Sequence, residues 1–260
     1  MKLTKWAFAV TILCICFVNY SCKSKPADNS CSTVHWTYEG EEGPDHWADL
    51  CPGFSACKGS NQSPIDILTD KVAADTVLSD TLHFSYGTSK TYVYNSGHTV
   101  QANTDSTNTI ALDTTVYTLA QFHFHTVSEH TLNGSHSPME IHLVNKNADG
   151  SKILVVGLLV EEGAANPVLT YLTSHLPQST GASVKNDSTF NVNELLPASK
   201  TFYTYKGSLT TPPCSETVTW CVMKNKIFAS KEQIAAIHQL IHEDNRPVQP
   251  LNGRTVLISK

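Results

Sequence analysis

The sequence predicts a mostly β, α+β chain folded as a single domain, with its few helices outside a large sheet. Three observations carry this. Segments rich in β-branched and aromatic residues recur from Leu82 to Val160. Helical patterning is confined to two short stretches late in the chain. No linker divides the folded part, and 260 residues are enough for one sizeable core.

The chain opens on a targeting segment, residues 1–21. Lys2 and Lys5 make its start basic, and Trp6 to Val18 is an apolar run too short to span a bilayer comfortably. Cys22 follows the small Ser21, as in a bacterial lipoprotein box, although Asn19 stands where an aliphatic residue is usual. Cys22 is therefore the expected point of lipidation and membrane attachment. Residues 22–34 form the expected tether, polar and containing Pro26. The expected location is exported, periplasmic or attached to an outer membrane.

Residues 31–60 have little periodicity and read as an irregular wrap pinned by Trp36, Tyr38 and Trp47. Strands are predicted at Leu82 to Tyr86, Thr91 to Asn95, His98 to Asn103 and Thr109 to Leu112. Val116 to Leu119 leads directly into Gln121-Phe122-His123-Phe124-His125. Ile153 to Val160 is continuously apolar, as in a strand buried on both faces. A short helix is predicted from Pro167, which suits a first helical turn, to Leu176. A second runs from Ser230 to His242: Ser230 caps it, Gln233 stands three residues on, and Ile234, Ile237, Leu240 and Ile241 form one stripe. One further turn is predicted within Asn191 to Pro197.

Chemistry concentrates in two strands. Successive side chains of a strand point to opposite faces, so His123 and His125 share one face while Phe122 and Phe124 take the other. In Met139 to Val144, Glu140 and His142 share a face, and Ile141 and Leu143 take the other. A turn around Asn133-Gly134-Ser135 separates the two segments, so antiparallel pairing brings His142 beside His123 and His125. A lone His-x-His is more often an ordinary pair of histidines. The second strand tips the balance, because three neutral imidazoles with a fourth position open make a catalytic zinc site. Glu140 is expected to orient His142 rather than to bind metal itself.

Composition narrows the alternatives. The formal net charge is −5, with both signs interspersed, so no basic footprint for nucleic acid exists. No His-Glu-x-x-His motif supports a protease. With Cys14 and Cys16 in the signal and Cys22 modified, Cys31, Cys51, Cys57, Cys214 and Cys221 remain. That number is odd for an oxidising compartment, and Cys221 in an apolar strand from Val218 to Met223 is the best candidate for a free core thiol.

Five motifs in order give a specific resemblance. They are Gln121 to His125, Ser128-Glu129-His130, Met139 to Val144, Tyr205 to Glu216 with Leu209-Thr210-Thr211-Pro212-Pro213-Cys214 at its centre, and Asn245 to Leu251. Together they resemble the α-class carbonic anhydrases of the exported bacterial kind, from about His35 to Ile258, so residues 35–260 are the expected catalytic domain. The resemblance implies a mainly antiparallel sheet with zinc at the bottom of a conical cleft. It implies Zn2+ on His123, His125 and His142, and reversible hydration of carbon dioxide to bicarbonate and a proton by attack of zinc-bound hydroxide. Gln121, Glu140 and the carbonyl of Asp244 are expected to hold the three ligands; the family often has asparagine at position 244.

The same resemblance makes Thr210 the residue that orients the hydroxide, with Glu129 accepting from its hydroxyl. Val144, Val155, Leu209, Thr210, Thr211, Val218 and Trp220 are implied around the substrate. His98 matches the proton shuttle, and Tyr38 and Gln101 match residues that order its waters. Ser96 and Thr126 depart from the usual asparagine and tryptophan. A Cys57–Cys214 disulfide is implied, with Cys31–Cys51 a weaker proposal. Anions and sulfonamides are the expected inhibitors, and a homodimer is compatible with the family. The alternative function is an acatalytic binding module on the same fold, which would be expected to have lost zinc ligands that this chain keeps. A zinc hydrolase acting on esters is a third reading.

Overall fold

The computed structural model describes residues 31–74 and 82–259. The signal segment, Cys22 and the tether up to residue 30 lie outside them. Eight long strands dominate: β1 (Thr88–Asn95), β2 (Val100–Thr104), β3 (Thr115–His125), β4 (Met139–Lys146), β5 (Ile153–Glu162), β6 (Ser183–Asn191), β7 (Phe202–Gly207) and β8 (Val218–Met223). They belong to a sheet with thirteen strands among the described residues, in the order β6-β1-β2-β3-β4-β5-β8-β7 and then Leu257–Ile258 and Ala73–Ala74. Its pairing is antiparallel except for β5 with β8, β5 with Ile227–Ala229, and the outermost short pair.

The sheet has two differently used faces, and residue alternation sets them. Phe122 and Phe124 of β3, Ile141 and Leu143 of β4, and Leu154, Val156 and Leu158 of β5 pack in the larger core. Two helices cover that side, α1 (Pro167–Thr173) and α2 (Lys231–Ile241), through Val168, Leu169 and Leu172 and through Ile237 and Ile241. The intervening residues Val144, Val155, Val218 and Trp220 form a second cluster on the opposite face. The apolar run in β5 is buried on both sides because it lies between these clusters, as its sequence requires.

Local chemistry explains the helix ends. Ser230 accepts from the Gln233 N–H while the Gln233 side chain accepts from the Ser230 N–H, a capping box. Asn166 caps α1, with Pro167 at its first turn. The predicted turn at 191–197 is a 3-10 helix, Val192–Leu195. Two elements differ from expectation. The N-terminal wrap contains regular turns, Trp47–Leu50 and Pro52–Lys58, fixed by tertiary packing around Trp47 rather than by periodicity. Edge strand β6 was not foreseen: it is polar and largely exposed, so it carries no alternating pattern, and it pairs only with β1 through a register shift.

Cys57 pairs with Cys214, and Cys31 with Cys51; Cys221 is free and buried. Burial pushes the Cys221 thiol up to about 12, as expected of an inert core cysteine.

Candidate metal centre

β3 and β4 pair in the register His123 opposite His142 and His125 opposite Glu140. The three imidazoles therefore meet on the cleft face. Their ring centroids stand 5.1 Å (His123–His125), 5.2 Å (His123–His142) and 4.6 Å (His125–His142) apart. One nitrogen from each lies within 4.8 Å of the other two.

The partners of the remaining nitrogens settle which atoms converge. His123 Nδ1–H donates to Gln121 Oε1 at 2.9 Å, and His125 Nδ1–H to the Asp244 carbonyl at 2.9 Å. His142 instead donates from Nε2 to Glu140 Oε1, also at 2.9 Å. That leaves Nε2 of His123, Nε2 of His125 and Nδ1 of His142 with free lone pairs. His125 Nε2 is fully buried without a hydrogen-bond partner. A buried nitrogen acceptor is costly unless something binds it. Three imidazole nitrogens, each oriented by a second partner, are a donor set that fits zinc.

Buried carboxylates surround the centre. Glu129 Oε1 accepts from the Arg246 N–H at 2.9 Å, while its Oε2 lies 3.5 Å from His125 Nε2 and 3.9 Å from His142 Nδ1 without a hydrogen bond. Burial lowers His123 well below the usual imidazole range and takes His142 down to about 4, so both are neutral and available as ligands. At His125 burial also lowers, but Glu129 and Asp244 outweigh it and favour positive charge there. The negative potential thus lies where a cation would be held. Burial raises Glu129; His125, the Thr210 hydroxyl and the Arg246 N–H oppose that rise.

Asp244 does more than its backbone role. Its Oδ1 accepts the Thr126 N–H at 2.8 Å, and the Thr126 hydroxyl bonds the His242 carbonyl. Thr126, where tryptophan was the common residue, is thereby a buried strut between β3 and the end of α2.

A cavity of about 260 Å³ adjoins the centre, lined by Gln121, His123, His142, Val144, Val155, Leu209, Thr210, Thr211 and Trp220 among others. Six of the seven residues expected around the substrate are in this wall. Val218 is not: it is buried behind the wall in the cluster with Trp220. His98 lines a different cavity, with Trp36, Tyr38 and Glu39. Its ring stacks on Trp36, centroids 3.7 Å apart and planes 9° apart. Burial, and His35 nearby, lower its pKa. Tyr38 shares the cavity of His98. Its buried hydroxyl has no partner, and its pKa is raised by burial and then by Asp244 and Glu129. Gln101 lies opposite His123 in the sheet and donates to Asn103 Oδ1 at 2.8 Å.

Two residues without an assigned role emerge as supports. His130 donates from Nδ1 to Glu140 Oε1 at 2.8 Å, and its Nε2 bonds the Tyr205 hydroxyl at 2.6 Å; that hydroxyl donates on to Ser63 Oγ. Glu140 is thus held from behind, and His130 and His142 outweigh the effect of burial to keep it ionised. Arg246 is buried, donating to Gln62 Oε1, the Ser63 carbonyl and the Cys57 carbonyl. The sequence signal for both was their place inside conspicuous motifs, but long-range partners define their work.

Comparison with known proteins agrees with this geometry. The model of the eukaryotic-type carbonic anhydrase family matches residues 42–260. A carbonic anhydrase of Pectobacterium carotovorum is 42% identical over 238 residues, covering 91% of this chain and 94% of that protein. One of Klebsiella pneumoniae is 44% identical over 227 residues, covering 86% and 90%. The solved α-carbonic anhydrase of Thermovibrio ammonificans, in complex with the inhibitor sulfanilamide, superposes with a TM-score of 0.82 at 39% identity, covering 86% of this chain and 99% of that one. Fold, histidine triad and relatives therefore converge: the chain belongs to the eukaryotic-type, α-class carbonic anhydrases, the enzymes of carbon dioxide hydration.

Proposed function

We propose that this chain is a zinc enzyme in which His123, His125 and His142 hold the metal and His98 exports the proton of each hydration. The observation that carries the reading is the set of three converging nitrogens, each with its opposite ring nitrogen already bonded. Bound there, zinc would bring the pKa of a coordinated water to about 7 and so supply the nucleophile at neutral pH.

The remaining work belongs to the chain. Gln121, Glu140 and the Asp244 carbonyl fix the tautomer and tilt of the three rings. Thr210, donating to Glu129, has only acceptor capacity left for the attacking oxygen, so it turns that oxygen's lone pair toward the substrate. Val144, Val155, Leu209 and Trp220 offer linear, uncharged carbon dioxide an apolar surface that disfavours water. The Thr210 N–H is available to a substrate oxygen, with Thr211 at the rim. His98 accepts the released proton on a ring nitrogen through water ordered near Tyr38 and Gln101, then yields it to buffer.

The same centre would be where small anions and sulfonamides compete for the open position, as the sulfanilamide complex of the Thermovibrio relative suggests. Residues 35–260 are the catalytic domain, after a signal at 1–21 and a tether at 22–34. The two disulfides suit an oxidising compartment, and no helix among the described residues is long and apolar enough to cross a membrane. Cys22 is the proposed point of membrane attachment.

The direct test is zinc content together with carbon dioxide hydration by stopped flow. Wild type should bind one zinc per chain and be active. His142→Ala should lose most metal and nearly all activity. Stoichiometric zinc with undiminished turnover in that variant would reject the ligand assignment.

A further inference from the structure

The alternation that sends His142 and Val144 into the cleft continues to Lys146, the last residue of β4. Four residues along a strand place it roughly 13 Å from His142, on the same face. Lys146 lies opposite Ile153 of β5 and Thr118 of β3. Between Leu119 and Gln121 the β3–β4 register shifts, and Ala120 lines the cavity there with a minimal side chain. Lys146 itself lines the cavity and is exposed. It is the one ammonium in that lining, and no carboxylate accompanies it. Its ammonium makes no ion pair or hydrogen bond among the described residues. The chain as a whole carries a net charge of −5, which repels anions. An unneutralised positive charge at the end of an apolar wall is therefore a local exception.

We propose that Lys146 is an anion-recognition point at the cleft mouth. It selects elongated ligands that carry a metal-binding head and an acidic tail over those with neutral or basic tails. The inference rests on the zinc reading above, since the head must be held at His123, His125 and His142. The spacing matches a ligand about one aromatic ring long: head at the centre, ring against Val144 and Leu209, tail within reach of the flexible lysine stem. Carbon dioxide is too small and carries no charge to engage it, so Lys146 acts on ligand choice and not on the attack.

The test measures dissociation constants on the zinc-loaded protein for three probes: benzenesulfonamide, its 4-carboxylate and its 4-aminomethyl derivative. Wild type, Lys146→Met and Lys146→Glu are compared at low and high salt. The preference for the carboxylate over the aminomethyl probe should fall about fivefold in Lys146→Met and again by a similar factor in Lys146→Glu. The differences should shrink as salt rises. The neutral probe should bind all three proteins alike. If it binds normally but the charged-probe preference is the same in every variant, the Lys146 proposal is overturned. If the neutral probe does not bind zinc-loaded wild type at all, the metal-centre reading fails, and this proposal fails with it.

Discussion

At the scale of single residues, chemistry is set by what stands behind each side chain. His123, His125 and His142 are equivalent on paper, yet two present Nε2 and the third Nδ1, because Glu140 takes the His142 Nε2–H. His98 lines another cavity, stacked on Trp36 and half-buried beside His35. Its lowered pKa leaves it neutral at neutral pH, the form that the proposed proton relay requires. His98→Ala should lower kcat in dilute buffer by on the order of 100-fold while leaving kcat/KM for carbon dioxide nearly unchanged. Concentrated imidazole buffer should restore much of the loss. Wild-type rates in dilute buffer would make His98 a surface histidine only. The shared strand face of His123, His125 and His142 was legible because alternation is a local property. The work of His130 was not, since Tyr205 and Ser63 are brought to it only by folding.

At the scale of elements, the loop carrying Thr210 is held from the N-terminal wrap. The Cys57–Cys214 bond spans 157 residues of sequence. Replacing both cysteines with serine should cost up to about 5 kcal/mol in the chain-entropy account. Thermal and denaturant unfolding of the oxidised proteins measure this, and an unchanged midpoint would show the bond to be energetically idle. Beside it, Glu216 accepts from the Asn61 N–H at 2.6 Å and from Gln62 Nε2 at 2.9 Å. Burial would raise its pKa, but these donors outweigh it and hold the carboxyl below the usual glutamate range. A depressed folded pKa contributes stability that is present at neutral pH and lost as pH falls through and below that range. Glu216→Gln should therefore be less stable than wild type at neutral pH, with the gap closing in acid. A gap that stays constant with pH would assign the effect to lost hydrogen-bond geometry instead. Strands with a buried face, and the capped helix α2, were readable as elements. Edge strand β6 was not, because a solvated edge leaves no hydrophobic period to read.

At the scale of the whole molecule, the cysteines sort themselves by environment. Among the described residues four are paired and Cys221 is alone in the core, a set that fits an oxidising compartment. The expected lipid on Cys22 belongs to the same compartment. Mass spectrometry of the native N-terminus should find an acylated Cys22 in the membrane fraction. An unmodified N-terminus beyond residue 22 in membrane-free fractions would mean a freely secreted enzyme. The sheet explains why one chain can hold both a core and a reactive cleft: helices cover one face, and the other is left to the histidines and the apolar wall.

By itself the sequence determined what depends on neighbours a few residues apart: which strand residues share a face, where α2 is capped, and which motifs travel together. Tertiary structure alone decided what depends on residues far apart in the chain. The β3–β4 register set His123 against His142, the Asp244 carbonyl reached His125 across 119 residues, and Val218 went behind the wall rather than into it. The physical reason is that side-chain direction along a strand is fixed by the backbone's own geometry. Which hydrogen-bond partner or packing layer a side chain meets is fixed only when distant segments bury it together.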